Sequence, residues 1–249
     1  MVTNLAFFFE TSRKVRGGKF VWVKDSNGEA RGNVLLGGTI LNPNKGFGKL
    51  YAAQLVQYKQ GEGCYIFRSF AIKTAQADSD ATEYVINGDG YSDAPEVGMV
   101  VMVAPDSLTV KTITTTIDNT GETPVATTTE SVSDYTGQSA KITNVVYDEA
   151  NGKFTITLDN TLGALDAGAI LVEATGTAKS ASAKPLVTKP NTFVEADEEL
   201  LPTEGFGFQN ANYAISTVYN KQAYISRMQP LPKYVLALNK SLIDGIFWI

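Results

Sequence analysis

Histidine is absent from the 249 residues, and cysteine occurs only once, as Cys64. The first absence excludes Ser-His-Asp and Cys-His nucleophile systems, imidazole acid–base catalysis and His-Glu-x-x-His zinc sites. Enzymes that use two carboxylates need no histidine, but the composition favours a protein without catalytic residues and without a cofactor. A single cysteine forms no intrachain disulfide, so the fold needs no oxidising compartment.

Basic charge and long apolar runs are also scarce. The chain has 21 Lys and Arg against 26 Asp and Glu, a net charge of −5. Phosphate backbones and anionic lipid surfaces attract basic proteins, so we expect neither nucleic acid nor a membrane as a partner. No apolar run reaches the roughly 18 residues of a transmembrane span. The N-terminal ten residues lack the basic segment of a signal peptide, and we expect none.

What is present is a strong β pattern, clearest between residues 141 and 174. Lys141–Tyr147 and Phe154–Leu158 read as strands joined by a turn at Asn151-Gly152, a dipeptide that supplies the positive φ angles of tight hairpins. Phe154–Leu158 alternates apolar residues with threonine, which predicts one buried and one polar face. Ala169–Ala174 is the third strand. These elements predict a compact antiparallel β unit.

Further β segments lie before this unit. We predict strands at Phe20–Val23, Asn33–Leu36, Cys64–Ile72, Glu83–Ile86 and Gly98–Val103, while Leu50–Tyr58 fits either a strand or a short helix. The expected fold class is mainly β, with β-sandwich or barrel domains built from antiparallel hairpins and few short helices.

Two parts of the chain share a weak internal echo. In the first part, Tyr84-Val-Ile86 is followed by a loop and by Val97-Gly98, which precedes a buried strand. In the second part, Phe154-Thr-Ile156 is followed by a loop and by Ala167-Gly168, which also precedes a buried strand. The two parts fit pseudo-equivalent pieces of one barrel or sandwich. Chance similarity between strands fits equally well.

A threonine-rich pair of segments, Leu108–Ile117 and Val125–Val132, flanks the turn at Asp118–Gly121. Its composition leaves few apolar residues for a core. One interpretation, which the composition favours, is the solvated outer edge of a sandwich. The other is a projecting β-arm that pairs with a neighbouring chain.

Composition shifts suggest three regions. Residues 1–78 form an expected N-terminal β-rich body. Residues 79–180 form a sandwich or barrel domain, and insertion of this domain into the body is the favoured arrangement. Residues 181–249 form a linker and a C-terminal segment that docks on the body or on a neighbouring subunit. The polar stretches 74–82 and 176–190 supply the linker-like flanks.

Two acidic stretches could bind or catalyse. Asn87, Asp89 and Asp93 place oxygen donors on alternate or nearby residues, as calcium loops do, but an EF-hand's glycine and glutamate placement is missing, so a simple turn is the favoured use. The acidic cluster of residues 195–199 could contribute a carboxylate pair for glycoside cleavage, although a charged surface is favoured. We therefore predict no metal site beyond the weak calcium candidates.

Both ends of the chain are apolar. Large side chains at chain ends are unusual unless they dock, because docking removes their apolar area from water. They complete either the core of this chain or an interface with a partner, and both alternatives are open. The candidate interface residues are Phe7, Phe8, Phe9, Ile246, Phe247, Trp248 and Ile249.

The order strand, Asn151-Gly152, strand, Asp159-x-x-Leu162, Ala167-Gly168, strand resembles the small β-domains of tailed-bacteriophage head proteins, both decoration proteins and capsid-attached fibres. The opening segments Gly17–Val23 and Gly37–Leu41 resemble proteins carried beside the capsid genes of Bacteroides-infecting, crAss-like phages. The resemblance implies a virion structural protein, assembled in the host cytoplasm, that binds the capsid shell in many symmetric copies. Its implied partners are the major capsid protein and copies of itself, so a homo-oligomer is expected.

Two alternatives of other classes remain. A carbohydrate-binding or adhesin module would use surface aromatic rings such as Trp22 and Trp248 as stacking platforms. A carboxylate-based glycoside hydrolase would need two acidic side chains facing each other across a cleft.

Overall fold

The computed structural model describes the backbone of residues 33–39, 41–42, 49–50, 54–59, 62–88, 94–118, 120, 125–193, 198–199, 212–218, 222–223, 228–240 and 247–248. Side chains are described for these residues except 33–39, 49–50, 125, 192–193, 198–199, 212–218, 222–223, 239–240 and 247–248. Strands dominate, and the mainly-β, antiparallel class expected from the sequence is confirmed. None of the helices in these ranges is long and apolar enough to cross a membrane.

The strands are numbered in chain order. They are β1 (Asn33–Thr39), β2 (Lys49–Leu50), β3 (Leu55–Lys59), β4 (Gly63–Ile66), β5 (Ser69–Thr74), β6 (Glu83–Asn87), β7 (Val100–Val103), β8 (Thr109–Asp118), β9 (Val125–Asp134), β10 (Ser139–Asp148), β11 (Lys153–Leu158), β12 (Ile170–Glu173), β13 (Thr192–Phe193), β14 (Glu198–Glu199), β15 (Asn212–Val218), β16 (Gln222–Ala223) and β17 (Phe247–Trp248). One helical turn, α1 (Lys233–Leu236), continues as a 3-10 turn over Ala237–Lys240.

Six strands close into an antiparallel barrel in the order β10-β11-β6-β5-β12-β7. The hairpins β5-β6 and β10-β11 meet along β6 and β11, and β7 and β12 close the opposite side. Closure leaves these strands without a free edge. The interior is filled by buried apolar side chains from all six strands: Phe70, Ile72, Tyr84, Ile86, Val101, Ala140, Ile142, Phe154, Ile156, Leu158 and Leu171.

Burial along the strands follows their sequence patterns. On β11 the residues starting with Phe154 alternate between buried and half-buried, as the Phe-Thr-Ile-Thr-Leu pattern predicts. The central residues of β7 and β12 are buried on both faces of the sheet. Val101 and Leu171 point into the barrel, whereas Met102 and Val172 belong to a second core on its outside.

This second core lies between the barrel, the three-stranded sheet β13-β3-β4 and α1. The side-chain hydroxyl of Tyr234 donates to the carbonyl of Val187 at 3.0 Å, and burial raises the pKa of Tyr234. Segment 176–190, expected to be a linker, packs here because Ala183 and Val187 are buried. The buried members of the core are Leu55, Phe67, Met102, Val172, Ala174, Ala183, Val187, Met228, Leu231, Tyr234 and Val235.

The single strand predicted for Cys64–Ile72 is wrong, because the chain changes sheets within it. β4 pairs with β3, and after Phe67 and Arg68 the chain enters the barrel as β5. The side chain of Arg68 is buried, lies 2.7 Å from the Glu173 carboxylate and donates to the Asn42 carbonyl at 2.7 Å. These contacts hold the point where the chain passes from the outer sheet to the barrel. Leu50–Tyr58, left open between helix and strand, contributes to β2 and β3.

An internal repeat relates the first three barrel strands to the last three. Exchanging β5, β6 and β7 with β10, β11 and β12 leaves the barrel order unchanged, as a pseudo-twofold axis requires. The backbone N–H of Gly98 donates to the carbonyl of Ile142 at 2.7 Å, and that of Gly168 donates to the carbonyl of Ile72 at 2.8 Å. Each residue in the second bond lies 70 positions from its counterpart in the first. The pseudo-equivalence suggested by the internal echo is therefore confirmed.

Further hydrogen bonds repeat with the same offset. The N–H of Ala104 donates to the carbonyl of Ile170 at 2.8 Å, and that of Ala174 donates to the carbonyl of Val100 at 2.9 Å. When residues 69–104 are aligned without gaps on 139–174, eight positions carry the same residue in both halves. They are Ser69/Ser139, Ile72/Ile142, Asp78/Asp148, Ile86/Ile156, Asp89/Asp159, Ala94/Ala164, Gly98/Gly168 and Ala104/Ala174.

The barrel begins before the second predicted region. Its strands run from Ser69 to Glu173, and the polar stretch 75–82 joins the paired strands β5 and β6. The division at residues 78/79 and 180/181 stays a prediction. Asn33–Leu36 lies in β1, which pairs with β15, and the strand predicted before it, Phe20–Val23, lies outside the described residues.

We predict that alanine at Gly98 and at Gly168 destabilises the protein equally. Their φ angles of 93° and 89° lie in the left-handed region, where a side chain costs about 1–2 kcal/mol. Urea unfolding of Gly98→Ala and Gly168→Ala measures the loss. Val97→Ala, at a neighbouring exposed position, is the control and should change the free energy of unfolding by less than about 0.5 kcal/mol. Unchanged stability in either glycine variant would contradict the conformational equivalence of the halves.

We also predict that alkaline pH destabilises the fold through Cys64. Burial raises the pKa of this thiol from 9.0 to about 11. Between these values the unfolded chain ionises the thiol and the folded chain does not, so the free energy of unfolding falls as pH rises from about 9 to 11. Unfolding curves of wild type and Cys64→Ala across that range isolate the effect, which the variant should lack. Fast reaction of the native thiol with a disulfide reagent at pH 8 would show that Cys64 is not shielded.

Candidate interaction site: a projecting hairpin arm

Residues 109–134, named the arm below, leave the barrel between β7 and β10. Its strands β8 and β9 pair over ten residues each, from Thr109 opposite Asp134 to Asp118 opposite Val125. They form a two-stranded sheet of their own. At about 3.4 Å per residue the arm is roughly 34 Å long.

The arm is exposed on both faces. Every side chain described in β8 and β9 is exposed to solvent. A strand at the edge of a sandwich keeps one face against a core. The favoured interpretation, an outer sandwich edge, is therefore wrong, whereas the projecting geometry of the alternative is confirmed. The reason is that the segment pairs with itself and not with a barrel strand.

One side of the arm, named the apolar face, carries exposed aliphatic residues. Ile113 and Ile117 are each 59% exposed and Val132 is 67% exposed. The strand pairing puts these residues on one side because side chains directly opposite share a face. The described residues of the apolar face are Thr109, Lys111, Ile113, Thr115, Ile117, Ala126, Thr128, Glu130, Val132 and Asp134.

Four polar members of the apolar face are paired with one another. The Nζ atom of Lys111 lies 2.5 Å from a carboxylate oxygen of Glu130. The hydroxyl groups of Thr115 and Thr128 lie 3.4 Å apart. Apart from the Lys111–Glu130 pair and Asp134 at the base, this face is consequently apolar or hydroxylic.

The opposite side, named the hydroxyl face, consists mostly of threonine and serine side chains. Val110 and Asp118 lie at its two ends. Asp118 accepts hydrogen bonds from the backbone N–H and the hydroxyl of Thr120 at 2.9 and 2.6 Å, which lowers the pKa of Asp118. Between the ends lie Thr112, Thr114, Thr116, Thr127, Thr129, Ser131 and Ser133.

The base of the arm is attached firmly to the body. The backbone N–H of Tyr135 donates to the carbonyl of Leu108 at 2.8 Å, and both side chains pack against the second core. Lys184 lies 2.7 Å from Asp134 and lowers the pKa of that carboxyl. Gly137 forms two backbone hydrogen bonds with Ala183 at 2.9 and 3.0 Å. These contacts fix the direction in which the arm leaves the barrel.

The geometry suits binding of another protein surface. A two-stranded hairpin is marginally stable in water by itself. Strand edges present unpaired N–H and C=O groups to any extended backbone that approaches. Ile113, Ile117 and Val132 add exposed aliphatic side chains on one face, which a partner surface could cover.

The other predicted site residues are not brought together. Asn87 ends β6, is half-buried and lies opposite Lys153 of β11. Asp89 and Asp93 lie outside the described residues, so the calcium candidate stays a prediction. Within the ranges that the structure describes, no cluster of three or more Cys, Asp or Glu could hold a metal ion.

The terminal candidates are only partly described. The backbone of Phe247 and Trp248 forms β17, which pairs in parallel with Gln222–Ala223 of the same chain. The interface assigned to the chain ends stays a prediction. Its members outside the described residues are Phe7, Phe8, Phe9, Ile246 and Ile249.

The acidic cluster and the tryptophans show no described side chains. Backbone pairing joins Glu198 and Glu199 to β2, and Glu195, Asp197 and Trp22 lie outside the described residues. The carboxylate-pair and glycan-stacking alternatives therefore stay predictions.

Comparison with known proteins gives no match: no family model, no curated protein and no solved structure is significantly similar to this chain.

Sequence reasoning missed the aliphatic residues of the arm. The abundance of threonine masks Ile113 and Ile117, which are four positions apart. In a strand this spacing places both on one face. This spacing, together with Val132 on the paired strand, could have predicted an aliphatic face on the arm.

We predict that the barrel folds without the arm. Because the N–H of Tyr135 reaches the carbonyl of Leu108, residues 109–134 can be replaced by Asn-Gly, a two-residue hairpin turn. The free energy of unfolding should change by less than about 1 kcal/mol, since the lost side chains are exposed and the Asp134–Lys184 pair is solvated. Urea unfolding followed by circular dichroism provides the measurement. A loss of more than about 3 kcal/mol would show that the arm contributes to the core, because exposed substitutions cost far less than this.

Proposed function

We propose that this chain is a structural protein of a tailed-phage head, an auxiliary, decoration or fibre-base component that binds the capsid shell through protein interfaces. Its partners are the major capsid protein and further copies of itself, and its location is the virion. The resemblance of its β pattern to phage head proteins suggests the particle. The arm suggests the mode of action.

The single observation that carries the proposal is the arm's combination of a firm base and a fully exposed length. A hairpin of roughly 34 Å with no core beneath it adds nothing to the body's hydrophobic burial. It does extend the reach of the molecule, with Ile113, Ile117 and Val132 on one face. Such an extension is useful where neighbouring subunits must be joined.

The pseudo-symmetry of the barrel supports this view. The chain leaving β12 turns back and packs into the second core through Ala183 and Val187. The chain leaving β7, at the equivalent place in the first half, builds the arm instead. The segment that follows β7 therefore differs from the segment that follows β12 by a hairpin that is exposed to solvent. We infer that this hairpin forms the interaction with a partner.

The proposed function is tested by measuring whether the protein binds to capsids. We expect the full-length protein to co-sediment with capsids assembled from the major capsid protein of the phage that encodes it, and the arm-excised variant to bind at least about tenfold more weakly, a loss of about 1.4 kcal/mol. Thr112→Ser, which keeps a hydroxyl on the hydroxyl face, is the matched control and should bind as wild type does.

Mass spectrometry of purified virions gives the complementary readout. The chain should be present in many copies per particle, at a fixed ratio to the major capsid protein. Its absence from virions, together with full-length protein that does not bind capsids, would overturn the proposal.

A further inference from the structure

We propose that β8 pairs antiparallel with β8 of a second copy of this chain, about a twofold axis at Thr115. The inference rests on the interface role proposed above for the arm, and it names one surface and one partner. The result is a four-stranded sheet in the order β9-β8-β8-β9. The copies are joined by backbone hydrogen bonds and by the side chains at the centre of the apolar face.

The free edge of β8 makes such pairing available. The arm is a sheet of two strands, so the outer edge of β8 has no partner among the described residues. Ten residues of backbone lie along it. An antiparallel copy of the same strand is a suitable partner, because a twofold axis lets one patch serve both subunits.

The side chains select the register. With Thr115 opposite Thr115 of the copy, Ile113 lies opposite Ile117 and Ile117 lies opposite Ile113. No other antiparallel register of β8 with itself places both isoleucines opposite isoleucines, because they are the only two in the strand. Cross-strand aliphatic pairs of this kind stabilise a sheet.

The same register extends both faces of the arm. The apolar face becomes a block of four isoleucines, with Ala126 of each copy beside it. On the hydroxyl face, Thr114 lies opposite Thr116 of the copy, which continues the rows of threonine. Thr–Thr pairs are favourable cross-strand neighbours. The combined sheet therefore has one apolar and one polar face, the usual pattern of an antiparallel sheet that is covered on one side.

Charge also favours β8 over β9 as the strand that pairs with the second copy. In the proposed register Asp118 lies opposite Thr112, and Lys111 keeps its contact with Glu130 of its own arm. No like charges face each other. The edge of β9 instead carries two carboxylates, Glu130 and Asp134, and no isoleucine.

Cysteine cross-linking tests the axis directly. In the full-length protein, Thr115→Cys should form a covalent dimer when oxidised with copper phenanthroline, because the two residues face each other on the axis. Thr128→Cys is the matched control: it is also exposed, on the same face and directly beside Thr115. In the proposed sheet the two copies of residue 128 are about 14 Å apart, too far for a disulfide.

The native Cys64 does not interfere, because it is buried and its thiol has a raised pKa. Cross-linking of Thr128→Cys but not of Thr115→Cys would place the contact at β9 and overturn the proposal. Cross-linking of neither would also overturn it.

A charge-swap pair tests the register. Ile113→Lys with Ile117→Glu places opposite charges across the axis, whereas Ile113→Lys with Ile117→Lys places like charges there. Both variants lose the same aliphatic side chains, and both put the same new ammonium group at position 113, beside Glu130 of its own arm. Sedimentation of the wild type should show a dimer, and the Lys/Lys variant should dissociate about tenfold more readily than the Lys/Glu variant. Equal dissociation of the two variants would refute the register.

The outcome for self-pairing is separable from that for the proposed function. A monomer that still binds capsids through the arm would show that the shell, not a second copy, occupies the β8 edge. That result would overturn this inference and leave the proposed function standing. A cross-linked dimer that does not bind capsids would support the pairing and contradict the capsid role.

Discussion

Closure of the barrel about its pseudo-twofold axis is the constraint on which the rest of the structure depends. Where the axis crosses the sheet, Val85 lies opposite Thr155 and Met102 lies opposite Val172, and each pair is separated by 70 positions. Strands of each half form hydrogen bonds with strand edges of the other half that would be unpaired without them. Neither set of three strands closes by itself, because in the barrel β7 pairs with two strands of the second half and β12 pairs with two strands of the first.

Two barrel strands connect this closed unit to the second core. β7 and β12 bury one face inside the barrel and the other against α1 and the outer sheet. Met102 and Val172 therefore join two cores through one layer of backbone. The chain that follows β12 returns to the second core, whereas the chain that follows β7 builds the arm. Because each barrel strand is paired on both sides, a long exposed hairpin can extend from the barrel without reducing the packing of its core.

Much of the barrel could be predicted from local patterns, whereas the exposure of both faces of the arm could not. The alternation from Phe154 to Leu158 and the Asn151-Gly152 turn mark a hairpin, because strand period and turn geometry are local properties. The break at Phe67–Arg68 could not be located, since apolar residues lie on both sides of Arg68 and Ser69 and strand spacing alone does not show a change of sheet. The contacts of Arg68 with Glu173 and Asn42 mark it in the structure. For the arm, the same threonine-rich pattern fits a half-buried strand and a fully exposed one.

The sequence by itself determined where most strands lie, that two segments of the barrel echo each other, and that histidine chemistry is excluded. Those properties depend on residue types and on short-range spacing. The tertiary structure alone decided that six strands close into a barrel, that β7 and β12 are covered twice, and that Ile113, Ile117 and Val132 face solvent. Burial is a property of what packs against a strand, and a strand's own sequence does not specify its neighbours.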